Sequence, residues 1–217
     1  MVWTSSAWAS TLNDAVSLYA KGDVATSSAV AVALNTSDGY ALAAKALSLG
    51  ASLFPESQRE ASYEKAEQYA RKAIELDPKN AEAHMELARA LGRLAQFRGV
   101  LQSLGLASEV RSELELAIRL DPKMAAPYVA LALWHAEVPM VAGGRNSEVE
   151  PNIQKALALE PGVIIHRLEY ANALMKVSQR NRKKAIGQLE IAVKLTPRDY
   201  WDKIDLENAK KMLASMR

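Results

Sequence analysis

Apolar residues recur three and four apart along almost the whole chain, the spacing of one helical face. Leu12, Ala15, Val16 and Tyr19 predict a helix over 6–21. Lys21-Gly22-Asp23 breaks it and caps a second helix over 24–34. A polar turn at 35–39 precedes a long apolar helix over 40–53, carrying Leu42, Ala43, Ala46, Leu47 and Leu49 and stopped by Phe54-Pro55. Residues 57–76 supply its partner. Three further pairs follow: 81–97 with 108–120, 125–138 with 147–159, and 163–177 with 182–195. A last helix over 199–214 sets Trp201, Ile204, Ala209, Met212 and Leu213 on one side and charges on the other. That pattern reads as the polar-faced cap an end repeat needs.

Four of these helices end in one phrase: Ala-Ile-Glu-Leu-Asp-Pro at 73–78, Ala-Ile-Arg-Leu-Asp-Pro at 117–122, Ala-Leu-Ala-Leu-Glu-Pro at 156–161 and Ala-Val-Lys-Leu-Thr-Pro at 192–197. Proline has no N–H and disfavours helical geometry in the preceding residue, so each helix stops near Asp77, Asp121, Glu160 or Thr196. The phrase resembles the end of a tetratricopeptide repeat, a helical hairpin of about 34 residues. The prolines are 44, 39 and 36 residues apart, so each unit carries an insertion that shrinks toward the C-terminus. Small residues fall where the family crosses its helices closely: Ala88, Ala132 and Ala171, then Ala66 and Ala185, then Ala73, Ala117, Ala156 and Ala192. Val110 and Val149 are bulkier departures from that pattern, and His84, Tyr128 and Arg167 replace its usual large aromatic.

The resemblance implies an all-α, right-handed α-solenoid of four to five antiparallel pairs, roughly eleven helices, in one domain over 1–217. Its expected parts are divergent N-terminal helices at 1–56, recognisable repeats at 57–197 and a capping helix at 198–217. In that family the first helix of each pair lines the concave face. By position the groove takes Glu82, Met85, Arg89 and Arg93 from one pair, Val129, Leu133, Ala136 and Glu137 from the next, and Leu168, Asn172, Met175 and Lys176 from the last. This is a basic edge, an apolar middle and an amide beside a lysine, suited to an extended peptide or a helix of a protein partner. The Lys/Asn pattern that clamps a terminal carboxylate is not met, because its Asn position holds Asn only at Asn172.

The stretch from Ala126 through Pro139, then Gly143-Gly144 and the run from Ile164 to Leu174, resembles the regulator-of-microtubule-dynamics family, and also the tetratricopeptide component of tripartite periplasmic transporters. The likeness spans roughly 60–217 and implies a scaffold or adaptor and not an enzyme. A small-molecule or lipid carrier is the second expectation, its apolar pocket closed by the inter-helix insertions. The insertion at 95–107, apolar but broken by Gly99 and Gly105, either extends both helices of its pair or folds over the groove. Self-assembly through the Trp3/Trp8 end or the last helix is a third, making a homo-oligomer.

Composition narrows the chemistry. A net charge of +2 is too small to point to nucleic acid. The chain has no cysteine, which removes disulfides, zinc–thiolate sites and thiol catalysis. His84, His135 and His166 fit no metal-ligand spacing and read as packing or groove residues, so neither metal nor cofactor is expected. Gly143-Gly144-Arg145-Asn146 lacks the following Gly-Lys-Ser/Thr of a phosphate loop, and the cations at 176–184 read as a solvated turn. No apolar run reaches membrane-spanning length. The compartment stays open: cytoplasmic if Met1 is the native start, exported or periplasmic if a leader was removed.

Overall fold

The structure, a computed structural model, describes residues 10–217; Trp3 and Trp8 lie outside the described residues. Eleven α-helices form among the described residues: α1 (Leu12–Ala20), α2 (Val24–Ala33), α3 (Ser37–Gly50), α4 (Glu56–Leu76), α5 (Ala81–Arg98), α6 (Val100–Leu120), α7 (Ala126–Glu137), α8 (Val149–Leu159), α9 (Ile164–Val177), α10 (Arg182–Ala192) and α11 (Tyr200–Ser215). They make five antiparallel hairpins and a terminal helix, an α-solenoid. The first helices of successive hairpins pack side by side, α3 on α5 and α7 on α9.

The repeated phrase does what its chemistry requires. α4, α6 and α8 end at Leu76, Leu120 and Leu159, directly before Asp77, Asp121 and Glu160. α10 stops earlier, at Ala192, leaving a turn before Pro197. Ala73, Ala117, Ala156 and Ala192 are all fully buried, so helix backbones approach at those positions without a side chain between them. Val110 and Val149 sit in the same crossings and are also buried.

Helix starts depart from the sequence pattern where a cap intervenes. α1 begins at Leu12 because Thr11 forms a capping box with Asp14: Thr11 N donates to Asp14 Oδ2 (2.7 Å) and Asp14 N to Thr11 Oγ1 (3.3 Å). α3 begins at Ser37, inside the expected polar turn, because Thr36 Oγ1 accepts from Gly39 N at 3.1 Å. The 95–107 insertion lengthens both helices of its pair: α5 runs to Arg98 and α6 starts at Val100, with Gly99 (φ +85°) as the whole connection.

Three histidines expected to pack do so. His84 Nδ1 lies 2.5 Å from Glu113 Oε2 and its Nε2 lies 3.0 Å from Pro78 O, tying α5 to α6 and to the preceding turn. His135 and His166 are also buried.

Candidate functional site

The solenoid curls until its ends touch. Trp201 Nε1 on α11 donates to Tyr19 O at the end of α1 (2.8 Å), and the two rings stack with centroids 5.2 Å apart. Gly22, in the α1–α2 turn with φ +81°, lies flat on Tyr200; a Cβ there would come within 2.5 Å of that ring. This contact joins the two ends of the concave groove into a ring, and the space within it is a cavity of about 1510 Å³ that stays open to solvent.

Of the groove residues read from the sequence, Met85, Arg89, Arg93, Val129, Leu133, Leu168, Asn172 and Lys176 line this cavity, with Glu82 and Glu137. Met175 and Ala136 do not; they pack against the C-terminal core around Ile164, Leu168 and Leu174. The lining also takes residues that counting along the repeats missed: Tyr19 from α1, Lys45 from α3, and Trp201, Ile204, Asp205 and Lys211 from α11. The apolar side of α11 was visible in the sequence, but as a cap; one side of a cap faces solvent only when nothing at the other end of the chain reaches it.

The basic edge is largely consumed inside the protein. Lys45 Nζ donates to Glu82 Oε1 at 2.8 Å, and Arg89 Nε donates to Glu86 Oε2 at 2.8 Å. Glu86 is fully buried, which pushes its carboxyl up despite Arg89. Burial opposes ionisation of Glu82 too, but the Lys45 ammonium holds it below the usual carboxylate range. Arg93 makes a long contact to Gln96 Oε1 (3.4 Å) and keeps donors for a ligand.

The opposite wall is acidic. Asp199, Asp202, Asp205 and Glu169 gather where α9 faces α11. Arg198 neutralises Asp202 through Nε (2.6 Å) and Nη2 (3.1 Å). Asp205 is pushed up to about 7, first by burial and then by the charges of Asp202, Glu169 and Asp199. Tyr19 lies between the walls, its phenol held protonated chiefly by burial. His166 lines the same side; burial lowers its pKa, and its Nδ1 meets no partner among the described residues. Those residues hold no cluster of metal-ligand type. Among them, no helix is long and apolar enough to cross a membrane.

Comparison with known proteins bears on this architecture. Residues 13–142, more than half of the chain, match the family of regulator of microtubule dynamics proteins 1–3. The chain belongs to that family. The match begins in α1 and ends just after α7, so it covers the N-terminal helices that looked divergent and stops short of the Ile164–Leu174 stretch. Among solved structures, a thermophilic tetratricopeptide-repeat protein of Thermus thermophilus superposes with a TM-score of 0.69 at 18% identity, over 92% of this chain and 97% of that one. The fold is therefore that of a tetratricopeptide-repeat protein. The C-terminal part of a repeat protein from Cytophaga hutchinsonii (13% identity, 90% and 99% covered) has a TM-score of 0.34. The assembly chaperone of RpL4 (14% identity, 94% and 95% covered) has one of 0.31. No curated protein matches the chain.

Proposed function

We propose that the protein is a non-enzymatic scaffold that holds an extended segment of a partner protein inside its ring. The observation that carries this reading is the convergence of Met85, Arg93, Val129, Leu133, Leu168 and Asn172, from three successive hairpins, on one cavity of about 1510 Å³. That exceeds the roughly 300–1,000 Å³ of ordinary small-molecule sites, and the lining mixes apolar and polar side chains as an extended chain needs. Helix pairs packed through buried alanines keep the surface preorganised, so ordering the receptor costs little on binding. Arg93 receives acidic groups of the segment, Leu133 and Leu168 its apolar side chains, and Asn172 its backbone, while Lys176 is already paired with Glu137. Arg89 contributes position more than charge, since Glu86 already occupies it.

The carrier reading leaned on insertions closing a pocket. The 95–107 insertion instead lengthens α5 and α6, and the ring is joined where Tyr19 and Gly22 meet Tyr200 and Trp201. The test is selection of displayed random peptides on the full chain, with Leu133→Glu and Arg93→Glu as separate controls. Selected peptides should carry acidic residues and lose binding at least about ten-fold to either variant, while thermal unfolding stays near that of the parent. Peptides that bind both variants undiminished would refute the groove as the binding surface.

A further inference from the structure

Apolar surface is left in solvent at one rigid point. Val141 is 99% exposed and Met140 80%, far beyond any other large hydrophobic among the residues whose side chains are described. Scattered exposed hydrophobics are ordinary, but these two are adjacent on the α7–α8 connection, and that connection is braced. Ala142 N and Gly144 N both donate to Pro139 O, at 2.9 and 3.1 Å. Gly144 is pressed so close that a Cβ would sit 1.7 Å from Val138 O. Beneath lies Trp134, fixed by its Nε1 bond to Ala107 O (2.8 Å) and covered by the Arg111 guanidinium. A turn built this way aims its two apolar side chains outward and keeps them there.

The neighbouring surface supplies charge. Gln96 Nε2 donates to Glu137 (3.2 Å) and Lys176 Nζ pairs with Glu137 (3.0 Å), which aligns the C-terminal ends of α5, α7 and α9 along one edge. The turn after α9 therefore lies on the same edge as the apolar tip. It carries Arg180, and the first turn of α10 directly after it carries Arg182 and Lys183, all exposed, while Arg145 is exposed within the tip's own connection. None of these four is paired with a carboxylate among the described residues, whereas Lys176 is taken by Glu137 and Lys184 by Glu150.

We propose that this edge docks the protein on an anionic lipid surface, Met140 and Val141 entering the headgroup boundary while Arg145, Arg180, Arg182 and Lys183 face the lipid anions. The combination of inserted apolar side chains and flanking cations is what peripheral membrane contact requires, because neither term alone binds stably. A lipid surface also fits the shape. The tip is fully exposed, and the cations come from two separate inter-helix connections instead of converging on one point as they would for a single phosphate or carboxylate.

The test uses the full chain and vesicles of phosphatidylcholine, with and without phosphatidylserine. Because the chain has no cysteine, Val141→Cys gives a unique attachment point for an environment-sensitive fluorophore. The expected result is co-sedimentation with the anionic vesicles only, weakening with salt, and a blue-shifted label on those vesicles. Met140→Ser/Val141→Ser should weaken binding at least about ten-fold. Arg180→Gln/Arg182→Gln/Lys183→Gln should weaken it roughly a hundred-fold, about five-fold per cation. Both sets are on the surface, and unchanged thermal unfolding checks that they fold. No sedimentation with anionic vesicles overturns the proposal, as does binding indifferent to both variants. A label shift that needs a second protein and not vesicles would assign the tip to a protein surface and also overturn it.

Discussion

On the wall built by α3 and α5, each buried charge has its counter-charge beside it; on the wall built by α9 and α11, acids crowd with fewer cations than they need. Lys45 lies against Glu82 and Arg89 against Glu86, so that wall presents little net demand to a ligand. Across the cavity, Arg198 settles Asp202, but Asp205, Glu169 and Asp199 share the remaining space. A nearby counter-charge offsets the burial of a carboxylate, wholly for Glu82 and only in part for Glu86. Where cations run short the carboxyl shifts up, as at Asp205. The difference separates residues that hold the ring together from residues still able to respond to what enters it.

The largest effect should come from breaking the settled wall. Glu86→Ala strands the Arg89 guanidinium, and losing one partner of a buried pair costs about 3–5 kcal/mol. Replacing both, Glu86→Leu with Arg89→Leu, should recover most of that loss, because an apolar pair leaves no buried charge unpaired. Urea unfolding of the three chains checks it. A single variant no less stable than the double would show that the pair carries no such energy.

The acidic wall should respond with the opposite sign. Asp205 binds its proton more tightly in the folded state, with a pKa of about 7 against an ordinary 3.8. Between those values the folded chain holds more protons than the unfolded one, so stability falls as pH rises through that window and stays low above it. Asp205→Asn removes the penalty and should stabilise the protein at pH 8 by on the order of 2–4 kcal/mol, less near pH 4. Unfolding measured at both pH values decides this. Equal effects at the two would place the Asp205 carboxyl in ordinary solvent.

How much of this was written in the sequence differs between the walls for a physical reason. Proline stops and small-residue positions are local: Asp77-Pro78 ends α4, and Ala117 is buried whatever lies farther away. Counting from them placed Arg93, Leu133 and Asn172 on the cavity, all from first helices of recognisable repeats. The pairing of Arg89 with Glu86 was also local, three residues apart, and Glu86 was read past because the family's count puts it off the concave face. The α11 wall was illegible, since its role depends on curvature accumulated over the whole array. No spacing announces that Tyr19 and Trp201, 182 residues apart, will stack. The match to the family over 13–142 shows the complementary limit: α1 to α3 lack the proline phrase, so their kinship could not be read from that phrase.

The contact that joins the two walls should give the smallest change in stability and the largest change in shape. Trp201→Ala removes one stacked pair and one hydrogen bond to Tyr19 O, together worth about 1–3 kcal/mol. The consequence for the ring is greater, because among the described residues Tyr19, Gly22, Tyr200 and Trp201 make the contact that joins its ends. Gly22→Ala attacks the same contact from the other side, by the clash with Tyr200 and the strain of φ +81°. Small-angle scattering should show a larger radius of gyration for both variants, with helical content unchanged. Opening the ring also separates Tyr19 and Arg89 from the Asp199–Asp205 cluster, so a peptide that spans the cavity should bind faster and leave faster to the opened forms. Were the two variants as compact as the parent, closure would rest on the packing of the hairpins themselves, and the aromatic contact would follow from the curvature instead of fixing it.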